Sequence, residues 1–168
     1  MKLNISVIIP TLNEEENIGK IFHNTKLLRA KEILIVDGGS KDRTRYILRK
    51  LKVLTTKPSR GNQLRTGAKI SSQPWLLFLH ADTKINISNV NELKNFIKKK
   101  ENEVAYFHLK FDSVSFFARM IALWANFRTK FFYLPFGDQC LFIKRSYYNH
   151  IGGFANITKM EDMELILK

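Results

Sequence analysis

The sequence has one cysteine, Cys140, four prolines and no long uninterrupted apolar run. A single thiol excludes an internal disulfide, so nothing argues for an oxidising compartment. No secretory pattern opens the chain: Met1-Lys2-Leu3-Asn4 leads into a short apolar run that stops at Pro10. The expected location is therefore cytoplasmic. Repeats and low-complexity linkers are also missing, and 168 residues suit one domain with a continuous core. Apolar residues at 45% set disorder aside.

Acids are in short supply as well. Asp and Glu number 15 against 28 Lys and Arg, a formal net charge of +13. Such a balance favours polyanionic partners: nucleic acid, anionic lipid or phosphorylated small molecules. Between Lys41 and Lys69 ten basic residues face one acid, Asp42. A solvated basic face, a phosphate site and a membrane-facing surface all account for that run.

What is present is an alternation of strands and helices. Leu3 to Ile9 reads as a buried β-branched strand, Ile33 to Val36 as a second, Lys52 to Thr55 as a third and Trp75 to Leu79 as the most apolar. Val104 to Phe111 and Leu141 to Ile143 read as further strands. Ile18, Ile21, Phe22 and Leu28 form one helical face, Tyr46, Ile47 and Leu51 another after a Ser40 N-cap. A helix is expected over Gln63 to Ile70, one more is marked by Val90, Leu93, Phe96 and Ile97, and the last residues read as helical. The pattern predicts an α/β domain over 1–168 with a mostly parallel sheet covered on both faces. Val114 to Phe136 is ambiguous. It holds six Phe, Trp124 and Tyr133 among Arg119, Arg128 and Lys130, with no uncharged stretch long enough to span a bilayer. A buried or partly buried core helix is the first reading, and a basic aromatic helix lying on a membrane surface is the second.

Chemistry concentrates at the strand ends. Asp37 closes a strand and precedes Gly38 and Gly39; ligands of open α/β sheets bind outside such ends, where a carboxylate accepts bonds from a ribose or base. A capped tight turn would look the same. The Trp75-to-Leu79 strand runs into His80-Ala81-Asp82, and a rim carboxylate suits Mg²⁺ or Mn²⁺ shared with a substrate diphosphate. His80 reads as a ligand, a ribose contact or a satisfied rim histidine. Arg60, Gln63 and Arg65 beside Gly61 and Gly67 resemble an anion-binding loop, and Glu161-Asp162 open a helix, where acids are stabilised by the dipole and where one could act as general base.

Pro10-Thr11-Leu12-Asn13-Glu14-Glu15, Val36-Asp37-Gly38-Gly39-Ser40, Leu79-His80-Ala81-Asp82-Thr83, Phe136-Gly137-Asp138-Gln139, Gly152-Gly153-Phe154 and Glu161-Asp162-Met163-Glu164-Leu165 follow one another in register. Together they resemble the family 2 glycosyltransferases. Arg60-Gly61-Asn62-Gln63 and the Leu-His-Ala-Asp-Thr and Gly-Asp-Gln blocks resemble more closely a bacterial subgroup found beside radical-SAM and selenium-associated genes. The resemblance implies a GT-A fold and an inverting, metal-assisted transfer from a nucleotide-diphosphate sugar to an acceptor hydroxyl. It implies Pro10, Thr11, Asn13 and Glu15 lining the nucleotide pocket, with Asp37 and Gly38 at the base or ribose. Arg60, Gln63, Arg65 and His80 would belong to the donor side. Asp82 would hold the metal, Asp162 beside Glu161 would be the base, and Asp138 and Gln139 would lie on the acceptor side. His80 stands where the family has the first acid of its Asp-x-Asp pair. Lys168 ends the chain six residues after Asp162, earlier than the family pattern, so a shortened homologue or fragment is expected. A nucleotide-sugar binder with little transfer activity is the alternative, and a basic membrane-surface or nucleic-acid binder the one after it, nucleic acid being the weaker of those two. An acceptor linked to lipid, with the chain peripheral on the inner face of the membrane, would fit the Phe-rich segment.

Overall fold

A computed structural model describes residues 2–99, 103–111, 115–132, 139–155, 157 and 161–167. Six strands form one sheet in the order β3-β2-β1-β4-β6-β5. β1 (Leu3–Thr11), β2 (Ala30–Asp37), β3 (Lys52–Thr55) and β4 (Trp75–Phe78) run parallel; β6 (Leu141–Lys144) pairs antiparallel with both β4 and β5 (Val104–Tyr106). The expected mostly parallel α/β sheet is thus present. β1 is central: Thr11 sits opposite Asp37, and Ile8 opposite Phe78. The carboxyl ends of β1, β2 and β4 therefore share one rim.

Strand alternation divides the core. Ile5, Val7 and Ile9 join Ile21, Leu77 and Leu93 beneath α1 (Ile18–Leu28) and α4 (Ile87–Lys99). Ile8, Leu34 and Val36 face the other way, onto Leu64 and Ala68 of α3 (Arg60–Ile70) and Tyr148 of α6 (Arg145–His150). Gly67 lets α3 lie flat on β1. A Cβ there would fall 2.4 Å from Cγ2 of Ile8.

Several local expectations are corrected. Ser40 does not cap α2 (Thr44–Leu48), which starts four residues later, because its hydroxyl and N–H are both given to Asp37. Tyr46 is exposed with Arg49 over its ring at 4.0 Å, and Leu48 is the buried residue instead. Phe22 is only partly covered, at 38% exposure, while Asn24 takes the buried place on α1. The strand expected over Val104 to Phe111 stops at Tyr106, since the N–H and C=O of Leu109 bond the Asn126 side chain at 2.7 and 2.9 Å rather than a neighbouring strand.

The aromatic segment differs most from its first reading. α5 (Phe116–Phe132) buries Ala122 and Ala125, whereas Phe117, Leu123, Trp124 and Phe131 are exposed. It is not a core helix.

Gly67→Ala should cost about 1–3 kcal/mol, since the new methyl must push β1 and α3 apart. A urea midpoint unchanged from the parent chain would contradict this packing.

Candidate functional site

The rim is assembled from two loops clasped by side chains. Asp37 has no exposed surface. Its Oδ1 accepts from the N–H groups of Gly39 and Ser40 at 2.9 and 2.8 Å; its Oδ2 accepts from the hydroxyls of Thr11 and Ser40 at 3.0 and 2.5 Å. The same Ser40 hydroxyl accepts from Asn13 N–H at 2.9 Å, and Asn13 Oδ1 accepts from Lys41 N–H at 2.8 Å. One step outward, Glu15 N–H donates to Asp42 while Glu15 Oε2 accepts from Arg43 N–H, both at 3.1 Å. Asp42 also accepts from Thr44 N–H at 3.0 Å. Burial raises the Asp42 carboxyl, but hydrogen bonds from Thr44 and Glu15 outweigh it and hold the group below the ordinary aspartate value.

Across the rim, Arg60 at the start of α3 gathers three groups. Its Nε lies 3.1 Å from Glu161 Oε1, and its Nη2 lies 3.3 Å from Asp162 Oδ2 and 2.6 Å from His80 Nε2. A guanidinium only donates, so His80 Nε2 is the acceptor in this contact. Glu161 is buried in α7 (Glu161–Ile166), and its contact with Arg60 is one of charge: neither atom makes a hydrogen bond among the described residues. Asp162, with side-chain exposure of 23%, is the accessible member of the pair. Gly61 makes this docking possible, as a Cβ would meet the Ile157 carbonyl oxygen at 2.7 Å. Tyr106 feels Asp162: burial first, then the charge of that carboxylate, pushes its hydroxyl well above the ordinary tyrosine range.

Asp82 lies exposed in the turn after β4, and its carboxylate takes no hydrogen bond or ion pair among the described residues. No cluster of three His, Cys, Asp or Glu residues able to hold a metal occurs among those residues either. One free carboxylate therefore fits a divalent ion that takes its other ligands from water and a diphosphate. His80 is not a second ligand through Nε2, which Arg60 occupies.

The structure brings together Pro10, Thr11, Asn13, Glu15, Asp37 and Gly38 at one part of the rim, and Arg60, His80, Glu161 and Asp162 at another. Gln63 has a different task from the one expected. It is buried, and its Nε2 donates to the carbonyls of Thr11 and Val36 at 2.8 and 2.7 Å, which fixes the ends of β1 and β2. Gln139 is likewise buried, bonded to Thr129, Asn126 and the Phe107 carbonyl, so it braces α5 rather than lining an open acceptor side. Asp138 lies outside the described residues. Arg65 is exposed and close enough to Tyr148 to oppose the burial that raises its hydroxyl to about 12.

Sequence reasoning missed Asn24. Its Nδ2 donates to the Thr83 carbonyl at 2.7 Å and its Oδ1 accepts from Ile85 N–H at 3.1 Å, pinning the loop that carries Asp82. The available signal was a polar residue in line with Ile21 and Leu28 on an apolar helix face.

Arg60→Ala should destabilise by about 1–3 kcal/mol by stranding the buried Glu161 charge, and adding Glu161→Gln should recover most of it. Equal urea midpoints for the single and double variants would refute the pairing. Because the folded-state pKa of Asp42 is lowered, its charged form supports the clasp fully above the ordinary carboxyl pKa, and that contribution is lost as pH falls through the lowered one. The Glu15 and Thr44 amide resonances should accordingly titrate together, with a midpoint below that of free aspartate, and Asp42→Asn should abolish the transition.

Comparison with known proteins supplies the context. Residues 6–155 match the family described as Glycosyl transferase family 2, a span ending before Glu161 and Asp162. No protein of curated function matches the sequence. Among solved structures, S. aureus TarS 1-349 in complex with UDP is similar at TM-score 0.75 and 20% identity, covering 99% of this chain and 54% of its own. A glucosyl-3-phosphoglycerate synthase from Mycobacterium tuberculosis, in complex with Mn²⁺, UDP and glucosyl-3-phosphoglycerate, gives TM-score 0.62 and 21% identity over 84% of this chain and 57% of its own. The mannosyltransferase PcManGT from Pyrobaculum calidifontis, in complex with GDP-Man and Mn²⁺, gives 0.70 and 16% over 98% and 51%. At these identities the likeness is one of fold, and the chain spans about half the length of each neighbour. The family match runs from β1 through the Asp37 clasp and the Asp82 loop to the turn after α6, and this chain belongs to glycosyl transferase family 2.

Proposed function

We propose that the chain carries out metal-assisted transfer of a sugar from a nucleotide-diphosphate donor to an acceptor hydroxyl, with inversion at the anomeric carbon. The observation that carries this reading is the Arg60 contact, which ties the candidate base Asp162 to the strand end bearing His80 and Asp82. The nucleotide complexes of the structural neighbours support a donor of this class, UDP or GDP in kind, and their Mn²⁺ supports a divalent ion. The affinity with the radical-SAM-associated subgroup, a hexosyl group as the transferred sugar, a lipid-linked acceptor and a cytoplasmic, peripheral location belong to the same reading.

In this scheme Thr11, Asn13 and Glu15 border the nucleotide. Asp37 shapes that border through Gly39 and Ser40, and a direct contact with base or ribose requires one of its four hydrogen bonds to be released. Asp82 would hold Mg²⁺ or Mn²⁺, which when bound neutralises charge developing on the leaving diphosphate. Asp162 accepts the acceptor hydroxyl's proton as that oxygen attacks, and Arg60 orients its carboxylate. Glu161 is too enclosed to take that part; its charge holds Arg60 in place.

Titration calorimetry with a panel of nucleotide sugars, with and without Mn²⁺ or Mg²⁺, tests the assignment. Asp82→Ala should weaken metal-dependent donor binding by at least about tenfold, a difference of about 1.4 kcal/mol. Asp162→Asn should retain donor binding and lose turnover. Donor affinity unchanged by Asp82→Ala would remove the metal from the scheme.

A further inference from the structure

α5 is built inside out. Over its 17 residues, the face turned to the domain carries Ala118, Ala122, Ala125, Asn126 and Thr129. Ala125 has no exposed surface. Asn126 binds both backbone groups of Leu109, and Thr129 donates to Gln139 at 2.6 Å. The large apolar residues lie on the opposite arc. Phe117 is 75% exposed, Leu123 70%, and Trp124 and Phe131 60% each. The rings there pack on one another: Trp124 stacks on Phe127 at 5.9 Å, and Phe127 meets Phe131 at 4.5 Å.

A solvated helix normally turns such residues inward, because each buried one contributes favourably to folding. Here the inward face is small and polar, so the outward arc is a surface for something other than water. Its charges indicate what. At 100° per residue, Arg119 and Arg128 fall on the two margins of the arc, α5 contains no acid, and the whole chain carries +13. A second copy would bring the same positive margins together, which like-charge repulsion opposes. No helix among the described residues is long and apolar enough to cross a membrane, so the geometry is that of a helix lying in the plane of one.

We infer that the outer arc of α5 docks the chain onto a bilayer containing anionic lipid, with Phe117, Leu123, Trp124 and Phe131 in the acyl boundary and Arg119 and Arg128 at the headgroups. This extends the transfer reading without depending on it.

The test uses vesicles of phosphatidylcholine alone and of phosphatidylcholine with phosphatidylglycerol, and no sugar donor. Trp75 is buried at 8% exposure, so Trp124 dominates any change in tryptophan emission. The anionic vesicles should pellet the chain and shift its emission to the blue, and Trp124→Phe should pellet equally without the shift. Phe117→Glu with Leu123→Glu should weaken partitioning by at least about tenfold, and Arg119→Glu with Arg128→Glu should remove the preference for anionic lipid. If the glutamate variants do not fold by circular dichroism, quenching of Trp124 by brominated acyl chains in the unmodified chain decides. No binding, equal binding to both vesicles, or self-association through this arc in place of vesicle binding would overturn the inference.

Discussion

Asp37 lies at the end of β2 with no exposed surface, and its Oδ2 joins the end of β1 to the loop after β2. A buried carboxylate is tolerated only when its acceptor positions are filled, and here two backbone N–H groups and two hydroxyls fill them. That requirement dictates the path of the backbone through Gly39 and Ser40. Ser40 in turn fixes Asn13, and Asn13 fixes Lys41, so the loops after β1 and β2 form one unit rather than two. Gln63 extends the unit inward by bonding both strand ends from α3.

The second half of the rim is organised by charge rather than by backbone. Arg60 belongs to the same helix as Gln63, so one helix both braces the β1 and β2 ends and holds the acids of α7. Its third contact, His80, is the residue that departs from the acidic pair expected at the end of β4. An acid in that position would compete with Glu161 and Asp162 for the charge of Arg60, whereas a histidine brings no negative charge.

The parts legible in sequence are those set by local pattern. β-branched runs located β1 and β2, an apolar run located β4, the break to polar residues placed Asp37 and Asp82 at strand ends, and parallel order followed from alternation with helices. Parts that depend on distant partners were not legible. Nothing local to Asn24 announces Thr83 and Ile85, and nothing near Gln139 announces Asn126 and Thr129. α5 misled for another reason: a segment rich in apolar residues all round has no clear face in sequence, and the decisive feature was the alignment of its three alanines. The register of the motif blocks carried the family, while the tasks of Gln63 and Arg60 emerged only from their partners.

The docking of α7 also has a temporal side. Ser59 meets the Ile157 carbonyl across a sequence separation of 98 residues, Gly61 lies against the same carbonyl, and Arg60 reaches Glu161 from the same turn. Contacts so remote in the chain close a large loop and form slowly unless the sheet has already brought their ends together. The strands and α3 must therefore assemble before the acids of α7 have anything to bind. On this order of events the loops joined through Asp37 are complete first and the acids of α7 dock last, and local opening of the folded chain should begin where assembly finished.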